Sequence, residues 1–184
     1  MKAIILKDKY NNFFDGPLLI THDFFEDSRG YFYETWNENN FNNLIKDKVH
    51  FVQDNQSYSI HNTLRGLHYQ LNPKAQGKLI QATVGEIFDV IVDLRINSQT
   101  FSKWVGVTLN SINKNQLWIP PGFAHGFLTL SSEAIVQYKV SKYWDKKLDR
   151  ALFWDDPDIS IEWPIFNKTN SPKLSDKDKK APFL

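Results

Sequence analysis

The stretch Leu64-Arg65-Gly66-Leu67-His68-Tyr69-Gln70 decides how the rest of the chain is read. It places a cation, an imidazole, a phenol and an amide in one segment with strand-like alternation. Leu64, Gly66, His68 and Gln70 fall on one face of such a strand, and Arg65, Leu67 and Tyr69 on the other. A half-buried strand keeps its apolar residues together on one face. Here both faces carry something polar, which fits a strand whose inner face lines a cavity rather than a packed core. A glycine at position 66 leaves room there for a ligand. The bland alternative is a core strand with one satisfied histidine.

Composition narrows the setting. The chain has 184 residues, enough to bury a core without staples, and no cysteine, so disulfides and thiolate chemistry are excluded. A formal net charge of +1 gives non-specific nucleic-acid binding no bulk electrostatic support. No apolar run approaches the roughly 20 residues of a spanning helix. The apolar patch between the lysines of Met1–Tyr10 is too short for a signal peptide. A soluble, cytoplasmic protein with no membrane or nucleic-acid partner is expected.

Short strand signals follow one another outward from residues 64–70. Before it lie Lys2–Leu6, Leu18–Phe25 after an Asp15-Gly16-Pro17 turn, and the aromatic run Tyr31–Trp36. In that run Glu34 shares a face with Phe32 and Trp36, which suggests a cation or ligand hydroxyl as its partner. Asn37–Lys48, with Phe41, Leu44 and Ile45 at helical spacing, is the best helix candidate. Phe51–Ser59 starts as a strand and passes through Gln53-Asp54-Asn55, which could equally form an Asx turn. After it come Lys78–Val84, a hairpin connection at Gly85-Glu86, then Ile87–Leu94, Trp104–Leu109, Gln116–Ile119, Phe127–Leu130 and Ala134–Val140. Ser171–Lys180 is charged and reads as one solvated helical turn. Many short strands with almost no helix indicate an all-β antiparallel sandwich or barrel.

Pro120-Pro121-Gly122-Phe123-Ala124-His125 has the form P-x-G-x-x-H, the second motif of the cupin superfamily. Together with Asp27–Gly30, Gln53–Asn55, Leu64–Gln70, Gly77–Leu79, Asp89–Arg95, Trp118–Phe127, Tyr138-Lys139, Trp154–Pro157, Ile161–Pro164 and Leu174–Asp178, it makes the chain resemble the dTDP-4-dehydrorhamnose 3,5-epimerase family. These pieces run in order over nearly the whole length. The resemblance implies one cupin-type jelly-roll domain over 1–184, with an N-terminal strand arm and a C-terminal tail. It also implies a homodimer, a dTDP-sugar substrate, and no cofactor or metal. Carried over residue by residue, His68 matches the catalytic base, Tyr138 the acid and Asp178 the carboxylate that orients the base. Arg29, Glu34, Gln53, Asp54, Asn55, Arg65, Lys78, His125 and Lys177 match positions that hold the sugar nucleotide. Asp149 stands where the family usually has glutamate, and its shorter side chain reaches less far.

The implied chemistry explains these residue types. A 4-keto group acidifies the carbons on either side through an enolate, and epimerisation removes a proton from one face and returns one to the other. A neutral imidazole suits removal and a phenol suits return. The enolate oxygen needs fixed donors, Lys78 first and His125 second. Arginines such as Arg29 and Arg65 bind pyrophosphate bidentately. The rival readings are a metal-dependent cupin, a non-catalytic sugar-binding jelly roll, and an epimerase acting at C3 only. The metal reading suffers at position 70, where an amide stands in place of a histidine ligand.

Overall fold

The computed structural model describes residues 1–165 and 171–184. In chain order the strands are β1 (Lys2–Lys7), β2 (Phe13–Thr21), β3 (Phe25–Asp27) and β4 (Gly30–Phe32), followed by helix α1 (Glu38–Ile45). Then come β5 (Gln53–Ile60), β6 (Leu64–Gln70), β7 (Lys78–Val84), β8 (Glu86–Asp93) and β9 (Trp104–Asn110). β10 (Gln116–Ile119), β11 (Phe123–Thr129), β12 (Glu133–Val140), β13 (Asp149–Ala151) and helix α2 (Asp176–Lys179) complete the order.

Two antiparallel sheets face each other as a jelly roll. One runs β1-β2-β10-β7-β12-β5 and the other β13-β6-β11-β8-β9; β3 and β4 form a separate ribbon. Period-2 alternation sends Ile80, Leu117 and Val136 from the first sheet, and Ile87, Ile91 and Phe127 from the second, into one core between them. The outer face of the five-stranded sheet is covered by Leu152, Ile159 and Ile161 of the C-terminal segment. α1 lays Phe41 over Leu79 and Trp118 on the outer face of the other sheet. That helix starts where Asn37 caps the amide of Asn40, and ends at Lys46 in the left-handed region.

Several expectations change. The Asp15-Gly16-Pro17 turn lies inside β2, because the strand pairs with β1 on both sides of it. The aromatic strand ends at Phe32, so Glu34 shares no strand face with Phe32 and Trp36; its carboxylate accepts from the side-chain amides of Asn37 and Asn40. The helix is shorter than Asn37–Lys48. Gly85 is no hairpin: β7 and β8 belong to different sheets, and this residue turns the chain from one to the other at φ +72°. β11 begins at Phe123 rather than Phe127, so the P-x-G-x-x-H histidine sits on a strand. Asp178 on α2 is only 2% exposed, so the charged tail is not simply a solvated turn.

Candidate active site

The site is built where β6 crosses β11. His68 pairs with His125 and Arg65 with Phe127, so three steps along β6 match two along β11. This bulge breaks the strict alternation and turns Arg65 and His68 to the same side, into the barrel. The face assignment read from periodicity, which separated them, is therefore corrected. Gly66 sits in the bulge at φ +133°, and a Cβ there would lie 2.4 Å from the Cα of Gly126 and 2.8 Å from the His125 oxygen. Its smallness admits the neighbouring backbone, not a ligand.

Both residues open onto a cavity of about 510 Å³, whose lining also includes Lys78, His125, Tyr138, Asp149, Lys177 and Asp178. His68 Nε2 lies 2.6 Å from Asp178 Oδ1. Asp178 is the third helical residue of α2, and Ser175 is its cap. The Ser175 hydroxyl accepts from the Asp178 amide at 3.1 Å and donates to Asp178 Oδ2 at 2.8 Å, leaving Oδ1 for the imidazole. Burial acts to raise the Asp178 pKa, but the hydrogen bonds from His68 and Ser175 and the nearby cations outweigh it and hold the carboxyl below its ordinary value. An ionised Asp178 keeps the proton on Nε2 of a neutral His68 and leaves Nδ1 as the basic nitrogen.

Lys78 is buried, and its ammonium donates to the main-chain oxygen of His68 at 3.2 Å. Burial lowers its pKa to about 8, against the pull of Asp89 and Asp149. Behind it, His125 Nε2 sits between the two oxygens of the buried Asp89 carboxylate, 3.0 Å from Oδ2 and 2.9 Å from Oδ1. Burial pushes the two in opposite directions, His125 down and Asp89 up, each partly countered by the other.

Tyr138 reaches the cavity from β12 on the facing sheet. Burial raises its phenol pKa, with Arg65 opposing, so it remains a proton donor at neutral pH. The Arg65 guanidinium is held by the Ser59 hydroxyl and the Tyr58 carbonyl, both at 2.9 Å. Gln53 and Asn55 share the inward side of β5 and bond each other at 2.8 Å. Asp149 forms an ion pair with Lys177 at 2.5 Å on the cavity wall.

Five expected residues do not line this cavity: Gln53 and Asn55, and with them Asp54, Glu34 and Arg29. Asp54 projects from the opposite face of β5 and pairs with Lys139 at 2.9 Å. Glu34 lies in the segment after β4. Arg29 sits at the β3–β4 turn with its side chain 88% exposed, paired with Asp27. Other residues join the site unannounced. Trp144 joins Tyr69, Phe127 and Tyr138 as an aromatic residue of the cavity wall. Ser175 and Asp89 support the two histidines; the spacing Ser175-x-x-Asp178 before a charged turn was a readable capping signal.

The sequence profile described as dTDP-4-dehydrorhamnose 3,5-epimerase matches residues 12–184. The enzyme of that name from Shigella flexneri is 54% identical over 154 residues, covering 84% of this chain and 83% of its own. The crystal structure of the dTDP-4-dehydrorhamnose 3,5-epimerase of Bacillus anthracis, with TDP and PPi bound, superposes with a TM-score of 0.88 at 44% identity, over 99% of each chain. The 3,5-epimerase of Legionella pneumophila, solved in complex with dTDP-4-keto-L-rhamnose, gives a TM-score of 0.89 at 40% identity, covering 98% of this chain and 92% of that one. With a match of this length and relatives this similar, the chain belongs to the dTDP-4-dehydrorhamnose 3,5-epimerase family, and its jelly roll is of the cupin type.

Proposed function

We propose that the protein is an isomerase that converts dTDP-4-dehydro-6-deoxy-D-glucose to dTDP-4-dehydro-L-rhamnose by inverting C3 and C5. The observation that carries this reading is the entry of His68 and Tyr138 into one cavity from facing sheets, with Asp178 behind the histidine. His68 Nδ1 takes the proton from a carbon beside the ketone, and the C–H electrons move onto the C4 oxygen as an enolate. Lys78, with His125 beyond it, supplies fixed positive charge and donors to that oxygen in a site where burial strengthens them. Collapse of the enolate takes a proton from the Tyr138 hydroxyl on the opposite face. The phenolate and imidazolium then exchange with solvent, and the cycle repeats at the second carbon. Arg65 serves the pyrophosphate, and the exposed indole of Trp144 offers a stacking face to the base. No metal or cofactor is required in this scheme.

We read the protein as a cytoplasmic homodimer. Arg29 and Glu34 match sugar-nucleotide positions yet lie off the cavity of their own chain, on and beside a ribbon whose Phe25, Tyr31 and Phe32 are exposed. A second copy supplies the cavity they would complete. Mixing an Arg29→Ala chain with a His68→Asn chain tests this, because one site of the mixed dimer would recover both groups. Regained activity supports the shared site, and two chains that stay inactive together remove it.

The reaction itself is tested by incubating the protein with the 4-keto-6-deoxyglucose nucleotide in deuterated water. Deuterium at both C3 and C5 with inverted product is expected. Exchange confined to C3 would replace this reading with that of a C3 epimerase.

A further inference from the structure

Gln70 ends β6, is 7% exposed, and all its described polar contacts go to main chain. Its Oε1 accepts from the Asp145 amide at 2.7 Å. Its Nε2 donates to the Lys74 carbonyl at 2.7 Å and to the Tyr143 carbonyl at 3.3 Å. One buried amide thus bonds the residues on either side of Trp144, and joins them to the 72–77 loop. Neighbouring contacts have the same sense: Gln76 donates to the Lys142 carbonyl at 2.8 Å, and the Trp144 amide donates to Gln53 Oε1 at 3.2 Å. The indole these contacts hold is 55% exposed and lines the cavity.

We infer that Gln70 is a positioning residue for nucleotide binding, holding the Trp144 wall against β6 so that the indole presents one fixed face to the base. The inference rests on the proposed dTDP-sugar substrate. An amide suits this place because it needs one acceptor and two donors toward main-chain groups, and neither a carboxylate nor an imidazole offers that set. A wall fixed before the ligand arrives avoids the cost of ordering it on binding. His68, two residues along the same strand, has its own support from Asp178, so loosening the wall should affect affinity before chemistry.

The test combines Gln70→Leu, which deletes all three bonds, with Gln70→Asn, which keeps the chemistry on a shorter side chain and guards against a Leu variant that fails to fold. Binding of dTDP, steady-state kinetics and amide hydrogen exchange are measured on each. Stacking on an aromatic is strong enough that Kd for dTDP and KM should rise about tenfold or more. The value of kcat should stay within about threefold, the pattern of lost uniform binding. Exchange at residues 143–145 should speed up while β6 stays protected. Trp144→Ala should weaken binding similarly, and adding Gln70→Leu to it should cost little more, since both act through one contact. Unchanged Kd, unchanged protection at 143–145, or a fall in kcat alone would overturn the inference. A wild-type protein that ignores dTDP overturns the functional reading and this inference together; equal binding by wild type and both Gln70 variants overturns the inference alone.

Discussion

Lys78 donates its ammonium to the main-chain oxygen of His68 at 3.2 Å, so the buried cation and the proposed base are anchored at one residue of β6. Because burial brings the Lys78 pKa to about 8, this cation titrates just above neutrality. The protonated form is the one that stabilises an enolate. Activity at saturating substrate should therefore fall as pH rises through about 8. Lys78→Arg, whose charge persists, should lose that limb, and Lys78→Met should lose about 10²- to 10³-fold in kcat, as for other oxyanion donors. Stability moves the other way. Between about 8 and the ordinary lysine value of 10.5 the unfolded chain holds a proton that the folded chain has released. The Lys78 contribution to unfolding free energy thus rises with pH across that window. Urea melts of wild type and Lys78→Met, taken at about pH 7.5 and about pH 9.5, isolate this contribution by difference. A pH-independent difference would remove Lys78 as the titrating group.

His68→Asn should lower kcat by about 10²- to 10⁴-fold, the usual value of general-base catalysis, while dTDP binding changes little. Tyr138→Phe deletes the donor and keeps the ring. Solvent exchange at the acidic carbons should then outlast formation of inverted product. Near-normal turnover in either variant would unseat that residue.

Ser175→Ala removes the hydroxyl that occupies Asp178 Oδ2 and caps its helix. A cap substitution costs about 0.5–2 kcal/mol of stability. The kinetic effect is separate: a carboxylate free to rotate no longer fixes the His68 tautomer, so kcat should fall. Ser175→Thr keeps the hydroxyl and should restore both. A stability loss with unchanged kcat would confine Ser175 to capping.

Much of this site was legible because its residue types are chemically demanding. His68, Tyr138, Lys78 and Asp178 all reach the cavity that the resemblance implied. The face assignment on β6 was not legible, because periodicity assumes an unbroken pleat and the pairing with β11 contains a bulge set by tertiary contact. The Gly85 connection failed for a related reason: a Gly-containing turn between two strands looks the same whether they pair or separate into facing sheets. β13 escaped notice because three residues give too little pattern, and its pairing with Gln70-Tyr69-His68 supplies what its sequence lacks. No spacing argument picks Trp144 out from the other rings, since the turn after β12 decides which ring faces inward.

Gly126→Ala should destabilise the protein, since the new Cβ would lie 2.8 Å from the Arg65 oxygen and 3.0 Å from the Gly66 Cα. Overpacking of this kind costs about 1–3 kcal/mol, read as a shift in the urea midpoint. Gly66→Ala should cost more, because it adds a positive φ to a closer overlap. Wild-type midpoints for both would show that the strands part freely there.

Dialysis against a strong chelator should leave turnover unchanged. The Gln70 amide, at the place where a metal cupin would offer a ligand, is committed to main-chain bonds instead. Activity lost on dialysis and restored by zinc, iron or manganese would reinstate the metal-dependent reading.

The contact between Gly66 and Gly126 also bears on transplantation. A designer who moved His68, Arg65 and Tyr138 onto another barrel as isolated side chains would find the arginine pointing outward, because a regular strand cannot aim residues three apart to the same side. The catalytic set therefore includes two residues with no side chain at all. Their replacement one at a time meets a steric wall from the other strand, so this crossing should resist stepwise change more stubbornly than the cavity wall around Asp149.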